Sequence, residues 1–103
     1  MSVSTHVLDA VRGVPARGLG VRLERDDGTL IAAGVTDGDG RVGDFAGDIE
    51  AGVYRLRFDV ENYLATETFY PEVLVTFRVT SAGAKHHVPL LLSPFAYSTY
   101  RGS

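Results

Sequence analysis

Short runs in which apolar and polar residues alternate at every second position constrain this chain more than any other feature. Tyr54, Leu56 and Phe58 alternate with Arg55, Arg57 and Asp59, and Val73, Val75, Phe77 and Val79 alternate with Leu74, Thr76, Arg78 and Thr80. Successive side chains of a strand point to opposite faces, so a period of two sorts each run into one packed and one wet face. Twelve Gly and four Pro punctuate the runs. The sequence therefore predicts an all-β chain with frequent turns.

Strands are expected over Val3 to Ala10, from Gly20 through Val21 and Leu23, over Leu30 to Thr36, around Tyr54 to Phe58, over Val73 to Val79, and over His86 to Leu92 and Ala96 to Gly102. Asp26-Asp27-Gly28, Asp37-Gly38-Asp39-Gly40 and Ser81-Ala82-Gly83-Ala84 carry the turn residues between them. Arg12 to Gly18 and the acidic, Gly-containing stretch up to Gly52 read as loops, and Val60 to Thr68 is the best place for a short helix. Pro89 implies an edge position or a bulge in its strand, because proline cannot donate to a ladder. Seven or eight strands over 103 residues is the pattern of a two-sheet sandwich.

That length is one domain, residues 1–103. A domain this small buries roughly 60 to 70% of its unfolded surface, and with no cysteine it has no disulfide to supplement the core. Oligomerisation is the expected compensation. A net charge of −3 supplies no excess of positive charge for a phosphate backbone, so nucleic acid is not an expected partner. No apolar run approaches the roughly 18 to 20 residues of a membrane span. The polar start Met1-Ser2-Val3-Ser4-Thr5-His6 also lacks a leader's apolar stretch, so a soluble cytoplasmic protein is expected.

The three histidines are the natural acid–base candidates at neutral pH. In a strand, His87, Pro89 and Leu91 share one face while His86, Val88 and Leu90 share the other, so at most one of the adjacent pair faces a given site. The ordinary alternative for each is a solvent-exposed histidine at a strand start, and for His6, on a face with Ser4 and Leu8, a satisfied histidine near a sheet edge. No His-x-His or His-Glu-x-x-His spacing supports zinc. Asp37-Gly38-Asp39-Gly40 resembles the start of a calcium loop, but Asp48 stands where that loop requires Glu, so no metal is expected. Arg41, held by the preceding turn, could fork onto a planar oxygen-rich ligand or simply screen Asp37, Asp39 and Asp44. Nothing matches a Gly-rich phosphate loop or a serine nucleophile elbow.

Ser4-Thr5-His6-Val7-Leu8-Asp9, Thr36-Asp37-Gly38-Asp39-Gly40-Arg41 and His87-Val88-Pro89-Leu90-Leu91-Leu92-Ser93-Pro94 together resemble the transthyretin-related proteins. Gly13-Val14-Pro15-Ala16 and Phe69-Tyr70-Pro71-Glu72-Val73 match two further segments of that family, and the resemblance covers essentially the whole chain. The ending Tyr100-Arg101-Gly102-Ser103 is similar to the tetrapeptide that marks the 5-hydroxyisourate hydrolases and that the hormone carrier transthyretin lacks.

The resemblance implies a transthyretin-like sandwich of two four-stranded sheets with one short helix at Val60 to Thr68. It also implies a homotetramer, a dimer of dimers, with sites where the dimers meet. Its site residues, carried onto this chain, are His6, Arg41, His87, Tyr100, Arg101, Gly102 and Ser103, with no cofactor. His86 departs from the tyrosine common in relatives and is the fallback for His87. The implied reaction hydrolyses 5-hydroxyisourate in urate catabolism. His6 and His87 would position and deprotonate water, Arg41 would bind ring oxygens and stabilise negative charge, and Tyr100 and Ser103 would complete the wall. A C-terminal carboxylate on Ser103 could orient a site histidine as the Asp of a triad does. Two other readings stay open: a small-molecule carrier using the same channel, and a structural sandwich module.

Overall fold

Each alternating run becomes a strand in the computed structural model, which describes residues 2–43, 45, 49–80 and 85–103. The strands are β1 (Ser2–Asp9), β2 (Val14–Pro15), β3 (Gly20–Arg25), β4 (Leu30–Val35), β5 (Arg41–Val42), β6 (Gly52–Asp59), β7 (Glu72–Val79), β8 (Lys85–Leu92) and β9 (Tyr97–Thr99), with α1 (Val60–Leu64) between β6 and β7. One sheet has the order β4-β3-β6-β7, all antiparallel. The other runs β2-β1-β8-β9, with β5 also paired to β1, so it has five strands where four were expected. The fifth arises because two short strands share one edge of β1: β2 pairs at Leu8 and Asp9, β5 at Thr5 and His6. Each is two residues long, too short to show a period of two, and both fall where the sequence reads as loop.

β1 and β8 run parallel in unbroken register from Ser2 opposite Lys85 to Asp9 opposite Leu92. This pairing brings an early and a late segment of the chain side by side. The inner faces of the two sheets meet in a core of Val3, Val7, Leu23, Leu56, Phe58, Val73, Leu90 and Leu92, all essentially inaccessible to solvent. Each such side chain contributes about 1.5–3 kcal/mol by leaving water. Polar groups caught inside are satisfied locally. Thr5 Oγ1 donates to the Val88 carbonyl at 2.6 Å. Thr36 Oγ1 donates to the Ala16 carbonyl at 2.6 Å and accepts the Leu19 N–H at 2.9 Å.

Two expectations change in detail. The helix stops at Leu64 because Ala65 turns into the left-handed region at φ 50°, and β-branched Thr66 and Thr68 do not continue it. Pro89 is not on an edge strand, since β8 lies between β1 and β9. It falls instead between the β9 ladder, which spans Leu90 to Leu92, and an isolated bridge joining His87 to Gly102. The ladder to the chain end is thus interrupted at the residue that has no N–H to donate. The expected turn at Ser81 to Ala84, like Asp44 and Asp48, lies outside the described residues. Among the described residues no helix is long and apolar enough to cross a membrane.

Candidate active site

The outer face of the five-stranded sheet collects most of the residues singled out in the sequence. β1 alternates between half-buried and buried positions, which turns Ser4 and His6 outward and Val3, Thr5 and Val7 into the core. In β8, His87 is half-buried on the outer face, directly opposite Ser4. Arg41 in β5 is paired with His6. Three strands therefore deliver two imidazoles and a guanidinium to one surface.

A tight turn fixes Arg41. Asp37 Oδ1 accepts the N–H groups of Asp39 at 2.9 Å and of Arg41 at 3.0 Å, while the Asp37 N–H donates to the Arg41 carbonyl at 3.0 Å. The bond from the Arg41 N–H is the leading cause that holds the Asp37 carboxyl below its ordinary range. Gly40 is indispensable here: its φ is +75°, and a Cβ would run into the Val7 carbonyl oxygen. Its own carbonyl accepts the Val7 N–H at 2.7 Å, which clamps the turn to β1.

The chain end closes the other side. The Gly102 N–H donates to the His87 carbonyl at 2.8 Å, and a Cβ at position 102 would overlap the His87 ring. Glycine is thus required for the imidazole to lie against the tail. On the ring's far edge, Nδ1 is 2.8 Å from Ser4 Oγ. Ser4, Arg41, Lys85, His87 and Ser103 line one cavity of about 330 Å³. His87 is held below its ordinary value of 6.5, first by partial burial, then by the positive charges of Arg41 and His6, against a small opposing pull from the Ser4 backbone. The imidazole is accordingly neutral at neutral pH, as a general base must be.

Not every expected residue reaches this cavity. Tyr100 and Arg101 line a second hollow of about 220 Å³, with Val75, Phe77 and His86, which opens between β7 and the chain end. His86 lies on the inner face, 4% exposed, and among the described residues neither of its ring nitrogens has a hydrogen-bond partner. The strand alternation turns it to the opposite face of β8 from His87, although both residues border the second hollow, and His86 does not line the cavity of Ser4 and Arg41. Among the described residues, no hydrogen bond joins Ser103 to either outward histidine; the group on His87 Nδ1 is Ser4. Sequence reasoning assigned no task to Ser4 or Lys85. Their signal was the two-residue spacing to His6 and His87. No cluster of three or more His, Cys, Asp or Glu side chains able to hold a metal forms among the described residues.

Known proteins resemble this chain in sequence and in fold. The family model described as HIUase/Transthyretin family matches residues 3–102. A mouse (Mus musculus) protein named 5-hydroxyisourate hydrolase is 43% identical over 111 residues, covering 98% of this chain and 94% of that one. Among solved structures, 5-hydroxyisourate hydrolase from Klebsiella pneumoniae superposes with a TM-score of 0.90 at 34% identity, covering 100% of both chains. Sea bream transthyretin in complex with thyroxine superposes with a TM-score of 0.91 at 33% identity, covering 99% of this chain and 95% of that one. By its sequence over nearly its full length and by its fold, the chain belongs to the HIUase/Transthyretin family.

Proposed function

We propose that this protein hydrolyses 5-hydroxyisourate, opening its six-membered ring to give 2-oxo-4-hydroxy-4-carboxy-5-ureidoimidazoline. The observation that carries the reading is the convergence of His6, Arg41 and His87 from three strands onto one face, with the Gly102 backbone bonded to His87. The mouse and Klebsiella relatives named for this activity add to it. The terminal Tyr100-Arg101-Gly102-Ser103 favours a hydrolase over a carrier of the transthyretin kind.

In this reading neutral His87 takes a proton from water as the water oxygen bonds to a ring carbonyl carbon. The carbon–nitrogen bond of that carbonyl then breaks, and the departing ring nitrogen receives the proton. Arg41 forks onto ring oxygens and offsets the negative charge that develops on the attacked carbonyl. His6, paired with Arg41, positions the water, and Ser103 walls the cavity. Tyr100 flanks it from the neighbouring hollow, where Arg101 also stands. No cofactor is needed. We further assign the working form to a homotetramer, a dimer of dimers in which the outer sheet faces meet, because the cavity lies open on a sheet face that a second copy would cover.

The test follows the ultraviolet decay of 5-hydroxyisourate, generated in place from urate by urate oxidase, with and without the protein. Wild type is expected to accelerate the decay and Arg41→Ala to lose most of that acceleration. No acceleration by wild type would overturn the hydrolase reading and leave ligand binding in the same channel.

A further inference from the structure

Ser4, His87 and Gly102 stand in one row across the sheet, contributed by β1, β8 and the segment after β9. The middle member is gripped from both sides. Ser4 Oγ meets His87 Nδ1 at 2.8 Å, and the opposite edge of the ring lies where a Cβ of residue 102 would be. Among the described residues Nε2 alone of the two ring nitrogens has no hydrogen bond, and the ring borders the cavity shared with Arg41 and Lys85.

We propose that Ser4 is a positioning residue for His87. Its hydroxyl accepts the Nδ1 proton, which leaves the lone pair on Nε2, facing the cavity. The inference rests on the hydrolase reading above for its catalytic consequence, though not for its structural content. A serine differs here from the carboxylate of a triad. It orients the ring without adding a negative charge, so the imidazole stays a weak base and stays neutral beside Arg41 and His6. Without the Ser4 hydroxyl the Nδ1 proton loses its side-chain acceptor, and the Nε2–H form, which free imidazole side chains favour, gains population and carries a proton where the base needs a lone pair.

The experiment compares Ser4→Ala and Ser4→Thr with wild type. Nitrogen NMR of the His87 ring is expected to place the proton on Nδ1 in wild type and to reveal a large Nε2–H population in Ser4→Ala. In the hydrolysis assay, Ser4→Ala is expected to lose about ten-fold in kcat, the worth of one hydrogen bond, with KM nearly unchanged. Ser4→Thr, which keeps the hydroxyl, recovers both the tautomer and most of the rate. A folded Ser4→Ala with wild-type kcat and an unaltered tautomer would overturn the proposal, as would a wild-type ring protonated on Nε2. Should wild type fail to speed the decay of 5-hydroxyisourate, the hydrolase reading falls, while the ring tautomers of wild type and Ser4→Ala still decide whether Ser4 holds His87.

Discussion

His87 is a base kept weak by its neighbours. Partial burial and the charges of Arg41 and His6 all disfavour the imidazolium, so the acid limb of the pH–rate profile is expected below pH 6.5. Arg41→Gln removes one of those charges, and the His87 titration followed by NMR should move back up toward 6.5. Stability follows the same sign. The unfolded chain binds the proton first as pH falls through about 6.5, so this contribution is complete above that value and declines between it and the lower folded value. At this scale the sequence was only half legible. Alternation separates His86 from His87, but nothing in the period of two says which of them faces inward. The resemblance supplied that choice, and the register of Ser4 with His87 gives its physical reason.

The elements divide by length. β6 and β7 run eight residues each and were readable because four full alternations leave no other fold for them. β5 is two residues long and borrows its geometry from β1, so no local signal announces it, although it carries Arg41. What does announce its start is Gly40, the one residue type that fits a φ of +75° packed against the Val7 carbonyl. Gly40→Ala is expected to cost about 1–3 kcal/mol in a thermal or urea melt through strain and the disturbed bond to β1. It should also lower kcat/KM, since Arg41 follows directly, whereas an alanine at exposed Gly38, in open space in the same turn, should do neither.

For the molecule as a whole, Leu74 on edge strand β7, Tyr97 on edge strand β9 and Tyr100 just after β9 remain exposed. Assembly into a tetramer would cover such surface. Light scattering is therefore expected to give four times the 11.1 kDa chain mass, and the melting temperature should rise with protein concentration; a concentration-independent monomer would refute it. Sandwich architecture was legible here because strand count and turn spacing add up over the whole chain, while the parallel joining of β1 to β8 was not, since pairing across so many residues leaves no local trace. That joining has a consequence during synthesis. Ser4 and His87 lie 83 residues apart in sequence, so on the ribosome the first strand waits for nearly all the rest before its neighbour emerges. A chain cut short ahead of β8 can hold the β4-β3-β6-β7 sheet in its sequence yet lacks His87 and the Gly102 that packs against it. Turnover of substrate is then a report that translation ran its course and that the last segments found their places beside the first.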